Sequence, residues 1–393
     1  MKKDSFAKEK CPVCLNKSFE KFIDFGQVPQ SGVFLPSLEQ KPKMISLSFE
    51  YCTNCAFVRQ TSPKALHDYV KDSKNTGHTT PPYSVEIADY LHEAGISNSE
   101  LIVEIGSNEG SFLDVLSNSG FTNLLGVEPS LFCSETSRKK GYKTERAYFN
   151  IEESSRIKKK YGYAGAVVCR HIIEHIPDIS GFVISARNLL RPGGTIFIET
   201  PDSRDLIYKL RIDELWDQHL SYFTPSNLER LVVNAGLRVD KILVKPYIGE
   251  RAILLFGSNN HKEGQEYKTP RDEVKACKEF SRNIKVLRRK IAKKIEGSRK
   301  PVFCLGASHP QTNFLVFSGI GKYISQIIDD DPVKSGSYVC IPNPVPILTT
   351  ERFLKSSPAG TIIHAAFGYD SWLERIKKHL KENVEVIKPY DID

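Results

Sequence analysis

Residues 101–113, LIVEIGSNEGSFL, constrain this chain more than any other stretch. Leu101, Ile102, Val103 and Ile105 form a short, branched apolar run of the kind buried inside a parallel sheet. Gly106 and Gly110 then let the backbone turn tightly, and Ser107 or Asn108 is placed to cap a helix carrying Phe112 and Leu113. About twenty residues further on, residues 124–127 read as a second short strand that ends in Glu128, an acid set to hydrogen-bond a ribose across two strand tips. The turn is not the dinucleotide GxGxxG, because it runs E-x-G-x-x-x-G from Glu104. It predicts a nucleoside site at the carboxyl ends of two adjacent parallel strands.

Cys11-Pro-Val-Cys14 and Cys52-Thr-Asn-Cys55 are two CxxC knuckles, with short strands predicted between them at 19–25 and 44–51. Each knuckle presents two thiolates from one tight turn, and together they offer the tetrahedral four-sulfur set that zinc prefers. A redox CxxC would be expected once, at the start of a helix in a thioredoxin-like unit. Four cysteines leave no coordination position for a reacting water, so the Zn2+ ion is expected to staple a small module and not to catalyse. Cys133, Cys169, Cys277, Cys304 and Cys340 are scattered, several within apolar runs, and a disulfide framework is not expected from nine cysteines so placed.

A chain of 393 residues is too long for one core and predicts two or three domains. No apolar run approaches the ~20 residues that span a bilayer, and the lysine-rich start leads into CPVC instead of an apolar signal core. A cytoplasmic protein with no membrane partner is the simplest expectation. Much of the net charge of +8 sits in 274–300, where Val274, Phe280, Ile284, Val286, Leu287, Ile291 and Ile295 interleave with the charges. This predicts an amphipathic helix whose basic face is a solvated surface, able also to attract a phosphorylated small molecule.

After a polar connector at 62–82, the spacing predicts a helix at 83–94, a strand at 165–169, and a helix, tight turn and strand over 187–200. The run Arg170-His171-Ile172-Ile173-Glu174-His175-Ile176-Pro177 follows the 165–169 strand. Its HxxEH spacing invites a metal reading, which is rejected because the run follows a buried strand and Pro177 breaks it. A loop, Trp216-Asp217-Gln218-His219-Leu220-Ser221-Tyr222-Phe223-Thr224, precedes a helix at 226–235. The last third repeats the opening theme. Strand 302–305 runs into Gly306, and strand 324–328 into Asp329, Asp330 and Asp331. Residues 336–347, a strand at 361–366, a helix at 372–380 and a strand at 384–387 complete a second nucleotide-binding-like α/β unit. The expected division is 1–70, 71–260 and 261–393.

The glycine turn with its acid-ended neighbour resembles motif I of class I S-adenosylmethionine methyltransferases, and the "EHI" and "L-x-P-G-G" runs are similar to elements of that family. The resemblance implies that Glu104, Gly106, Ser107, Asn108, Gly110, Glu128, Pro129, Arg170 and His171 lie at the cofactor. Taken in order, the four-cysteine module, EIGSNEGSFL, GVEPS, EHI and the His-x-Ser-Tyr-Phe loop resemble the sugar C-methyltransferases over nearly the whole chain. Those enzymes act on nucleotide-linked keto-deoxysugars in antibiotic and surface-polysaccharide pathways. The implied fold is α/β: a central Rossmann-like methyltransferase domain, a small N-terminal zinc-binding β module at Cys11, Cys14, Cys52 and Cys55, and a C-terminal Rossmann-like domain on the substrate side. The implied cofactors are S-adenosylmethionine and structural zinc, and the implied partner is a nucleotide-linked sugar.

The family's reaction removes a proton beside a ketone, and the enolate then takes the methyl group. The resemblance makes His219 the base and His175 a donor or substrate positioner. Where relatives commonly read Tyr-x-Glu-His, this chain has Trp216-Asp217-Gln218-His219; Gln218 cannot ionise, Trp216 lacks the phenol, and Asp217 is one residue out of place. The C-terminal turn, Gly306-Ala307-Ser308-His309-Pro310-Gln311, lacks the lysine usual there. O- or N-methylation of a related sugar therefore stays open. So do a non-catalytic S-adenosylmethionine-binding protein and an RNA methyltransferase. The last is suggested by the zinc module and basic helix but disfavoured because no Asn-Pro-Pro-Tyr run follows the fourth strand. The oligomeric state is not legible.

Overall fold

The computed structural model describes residues 10–61, 80–247, 249–260, 269–356, 359–364, 370–379 and 384–391. The polar connector expected at 62–82 lies largely outside the described residues. In the N-terminal module, β1 (Phe19–Pro29), β3 (Met44–Cys52) and β4 (Val58–Gln60) pair antiparallel, while β2 (Phe34–Leu35) leaves for another sheet. Strand β1 runs further than its apolar pattern suggests because two irregularities, at Lys21/Ile23 and Asp24/Gly26, let it bend and keep pairing. Ile45, Leu47, Phe49 and Tyr51 of β3 alternate inward, as a one-sided sheet requires.

The central sheet is built from β5 (Ile102–Ile105), β6 (Leu124–Val127), β7 (Lys143–Glu145), β8 (Ala164–Arg170), β9 (Leu190–Pro201), β11 (Arg238–Tyr247) and β12 (Glu250–Ser258), in the order β11-β12-β9-β8-β5-β6-β7. Strands β5 to β9 are parallel, and β12 runs antiparallel between β9 and β11. Every residue of β5 and β6 is buried. The chain order reverses at β5, between β6 and β8, which opens a crevice at these strand tips. Strand β10 (Ser221–Tyr222) stays out of this sheet and pairs with β4 of the N-terminal module.

The turn after β5 differs from expectation in one respect. Helix Ser111–Asn118 starts from Gly110, left-handed at φ 79°, with no side-chain cap. Neither Ser107 nor Asn108 caps it. Asn108, itself left-handed at φ 49°, donates its backbone N–H to Glu128, and Ser107 Oγ packs against Gly126, where a Cβ would lie 2.4 Å away.

The C-terminal sheet contains β13 (Val302–Leu305), β14 (Ile324–Ile328), β15 (Tyr338–Cys340), β16 (Pro344–Leu348), β17 (Gly360–Ile363) and β18 (Val384–Ile387), ordered β18-β17-β13-β14-β16-β15-β2. Its outer strand is the N-terminal dipeptide Phe34–Leu35. The basic segment forms one long helix, Arg271–Glu296, that buries Cys277, Phe280, Ile284, Ile291 and Ile295 in a stripe, with Phe280 stacked on Phe22 of β1 at 4.0 Å. Val286 falls outside that stripe and is 48% exposed. One apolar core joins β1, β3, this helix and the C-terminal sheet, while the knuckle residues Cys11, Val13, Cys52, Cys55 and Phe57 join the core beside the central sheet. Among the described residues, no helix is long and apolar enough to cross a membrane.

Candidate functional site

The two knuckles meet. Cys11 and Cys55 Sγ are 3.7 Å apart, Cys14 and Cys52 Sγ 3.4 Å, and all four sulfurs lie within 4.8 Å of one another. Each knuckle is closed by an N–H bond back to its first cysteine, Leu15 to Cys11 O and Ala56 to Cys52 O, with Leu15 and Ala56 left-handed. A tetrahedral ZnS4 centre with bonds of ~2.3 Å has sulfur–sulfur edges of about 3.8 Å, so the donor set fits zinc as it stands. Four thiolates within 4.8 Å of one another repel strongly, so they cannot coexist there without a cation between them. The knuckles are seated on the central domain by Asn234 Nδ2 on Val13 O at 2.7 Å and Ser180 Oγ on Pro12 O at 3.1 Å.

At the tips of β5 and β6, Glu128 is buried and accepts the Asn108 N–H at 3.0 Å on one oxygen and the Ser130 N–H at 2.7 Å on the other. Burial pushes its carboxyl up, and the two backbone N–H groups pull it back. Pro129 links Glu128 to Ser130. Glu104 is buried deeper, and burial pushes its carboxyl up to about 8 against the attraction of Arg170. Its Oε2, together with Ser107 Oγ and Asn108 Oδ1, is buried with no hydrogen-bond partner among the described residues. Gly106 is left-handed at φ 72°, and a Cβ there would lie 2.3 Å from Ile172 Cδ1, so any side chain would be strained and would displace Ile172. A glycine cradle edged with unsatisfied buried oxygens and a half-satisfied carboxylate fits the ribose and the methionine end of S-adenosylmethionine.

Arg170 and His171 follow β8 at the same crevice, but their charged groups are engaged inside the protein. Arg170 Nε pairs with Glu199 Oε2 at 2.6 Å and its guanidinium lies over Phe112 at 4.4 Å. His171 stacks on Tyr247 at 4.2 Å, with Nε2 3.4 Å from Glu199 and Nδ1 3.6 Å from Glu174. Tyr83 donates to Glu199 at 2.5 Å. Burial opposes charge on His171, but its pairing with the ionised Glu174 and Glu199 outweighs it and holds the imidazole at about 10; both acids are held at about 2 despite burial. Glu199 is the hub of this cluster, a role its place at the end of a strand does not advertise.

The loop after β9 brings together the other sequence candidates. His175, in the single turn Ile173–His175, has Nδ1 2.8 Å from Gln218 O; a carbonyl only accepts, so the proton is assigned to Nδ1. The His175 and His219 rings are 4.8 Å apart, as are those of Trp216 and His219. Burial, then the neighbouring His175, pulls His219 down to about 3, which leaves its imidazole neutral. Gln218 Oε1 is buried without a hydrogen-bond partner among the described residues. Asp217 does not stand in for the missing carboxylate, because it accepts from Ser31 Oγ of the N-terminal module. The carboxylate beside the histidines is Glu174, whose Oε2 takes the Thr200 hydroxyl at 3.0 Å. Glu174, His175 and His219 each place one donor atom within 4.8 Å of the others, and His171 is not part of that group.

Sequence reasoning missed His309. It arrives from the C-terminal domain, packs its ring 4.9 Å from Trp216, and lies so close to Gly32 that a Cβ there would overlap its Nε2. Its position just after the second glycine turn was the only local signal.

The strand order, with an antiparallel β12 inserted beside β9 and a glycine turn after β5, defines a class I methyltransferase fold. Residues 82–242 match the family of the methyltransferase domain, and residues 261–389 the C-methyltransferase C-terminal domain. The chain thus joins a methyltransferase domain to a C-methyltransferase C-terminal domain. It is 26% identical over 237 residues to the C-methyltransferase NovU of Streptomyces niveus, an alignment covering 59% of this chain and 56% of that relative. It is 26% identical over 156 residues to a ubiquinone biosynthesis O-methyltransferase of Cupriavidus pinatubonensis, covering 37% of this chain and 62% of the relative. The chain thus spans a little over half the length of these relatives. Among solved structures, magnesium protoporphyrin IX methyltransferase of Synechocystis covers 49% of this chain and 94% of its own at 11% identity and TM-score 0.36.

Proposed function

We propose that the protein methylates a carbon of a nucleotide-linked keto-deoxysugar through an enolate, with His219 as the base. The observation that carries this reading is a neutral imidazole, His219, set between His175 and Trp216 where the central domain meets His309 of the C-terminal domain. S-adenosylmethionine, when bound, supplies an electrophilic methyl group, so the chain's own task is to generate and aim a nucleophile. His219 accepts the proton from the carbon beside the ketone, and the electron pair of that C–H bond passes into the enolate, whose carbon is the methyl acceptor. The charge gained by His219 is offset by Glu174, which is already ionised and carries the carboxylate that position 218 lacks. With its Nδ1–H donated to Gln218 O, His175 keeps Nε2 as its accepting atom, which suits it to position an acceptor hydroxyl. Zinc at the four cysteines would hold the N-terminal module against both domains and take no part in the chemistry.

One observation favours a second reading. The unpartnered Gln218 oxygen can accept from an amine or hydroxyl, which suits O- or N-methylation of a related sugar. The test is transfer of isotopically labelled methyl from S-adenosylmethionine to a panel of nucleotide-linked keto-deoxysugars, with the product read by carbon NMR. A new carbon–carbon-bound methyl is expected. A methyl on oxygen or nitrogen selects the second reading, and labelling of RNA alone overturns both.

A further inference from the structure

Three carbonyls of the His219 loop converge on one side-chain nitrogen from outside it. Gln60, the last residue of β4, is 6% exposed, and its Nε2 lies 3.1 Å from Trp216 O, 2.8 Å from Asp217 O and 2.9 Å from His219 O. An amide nitrogen carries two hydrogens, so one of them is shared between two carbonyls. The remaining carbonyl of the four, Gln218 O, is taken by His175. The Gln60 backbone N–H donates to Leu220 O at 3.1 Å, and the ladder continues with Arg59 opposite Ser221 and Val58 opposite Tyr222. In β4, Val58 and Gln60 point inward and Arg59 outward, to Glu50. An amide at an inward strand position is costly unless satisfied, and the three carbonyls that satisfy this one all belong to the loop.

We propose that Gln60 is a positioning residue for the His219 loop: its amide holds the 216–219 backbone in the turn that sets the His219 ring against His175 and Trp216. Gln60 follows Cys55 by five residues in a strand that leaves the second knuckle directly, so the metal-binding module fixes the geometry of a loop belonging to another domain. The functional consequence rests on the reading of this loop as the methyl-acceptor site.

The chain has two tryptophans, Trp216 and Trp372, so a Trp372→Phe background makes Trp216 emission a direct report on the loop. In that background, Gln60→Leu removes the donor at similar volume. Its kcat is expected to fall about 10- to 100-fold, with the Kd of S-adenosylhomocysteine within about twofold and Trp216 more open to acrylamide quenching. Gln60→Glu turns a carboxylate on the loop carbonyls at pH 8 and returns one O–H donor when protonated. Its kcat relative to the parent should rise as the pH falls toward 6, with Trp216 emission following the same titration. Glu174, His175, Asp217 and His219 also face the loop, but their titration is common to parent and variant and cancels in the ratio. Unchanged kcat and Trp216 emission in both variants would overturn the proposal. So would a pH-independent deficit in Gln60→Glu that tracks lost cofactor affinity. If Gln60→Leu does not fold, the Gln60→Glu titration decides alone. If the parent methylates no nucleotide sugar, the acceptor reading fails, while the Trp216 titration still decides the clamp.

Discussion

Glu128 is the sharpest place to test how the cofactor is held. Its two oxygens each receive one backbone N–H, from Asn108 and Ser130, and each keeps a second accepting direction for the vicinal hydroxyls of a ribose. Replacing it with alanine removes two hydrogen bonds to a charged acceptor, worth roughly 1.5–3 kcal/mol each, so the loss is about 3–6 kcal/mol before relaxation. At 1.4 kcal/mol per decade, that weakens cofactor binding by roughly two to four orders of magnitude. The Glu128→Gln variant keeps one acceptor oxygen but turns an NH2 toward one of the two backbone N–H groups, so its loss should be intermediate. The assay is isothermal titration of each variant with S-adenosylhomocysteine, paired with thermal melts of the free proteins to separate lost contacts from a loosened turn. A Glu128→Ala protein that binds within about threefold of wild type would refute the reasoning and remove the ribose from these strand tips.

His219→Ala should lower turnover by about 10²–10⁴-fold while cofactor affinity in the same titration stays near wild type; an equal loss of affinity would mean its role is misassigned. The purified chain should carry one zinc by elemental mass spectrometry. A chelator or Cys14→Ser should cost roughly 3 kcal/mol or more of stability in denaturant, and an unchanged midpoint would remove the metal from the module. The His171, Glu174 and Glu199 cluster predicts a pH signature. His171 is raised from 6.5 to about 10, so its contribution is complete below the lower value and lost as pH rises toward the upper. The acids are lowered from 4.5 to about 2, so theirs is present above 4.5 and lost as pH falls toward 2. The stability gap between wild type and Glu199→Gln, read from urea midpoints, should therefore shrink from pH 6.5 upward, and a constant gap contradicts the cluster.

The parts of this molecule that are legible in its sequence are those whose burial is local. Strands β5 and β6 announce themselves because all of their residues are enclosed between helices, and Gly106 because its left-handed turn would strain any side chain. The cysteine knuckles are legible because the spacing itself makes the turn. What escapes is pairing across domains. Strands β2 and β10 are two residues each and owe their extended form to partners far away in the chain, Tyr338 and Val339 in one case and Val58 and Arg59 in the other. Glu199, His309 and Gln60 escape for the same reason, since their partners are fixed by tertiary contact and no spacing rule connects them. The cap expected from Ser107 or Asn108 fails because the turn runs on to left-handed Gly110, which takes the position before the helix and has no side chain to cap with.

The loan of Phe34–Leu35 to the C-terminal sheet bears on how this family can be recombined. A chimera that exchanges the last third between homologues would graft Tyr338–Cys340 onto a foreign edge and expose unpaired backbone unless Phe34–Leu35 travels with it. The exchangeable structural unit is therefore discontinuous: a short piece near the start of the chain together with everything after the long basic helix.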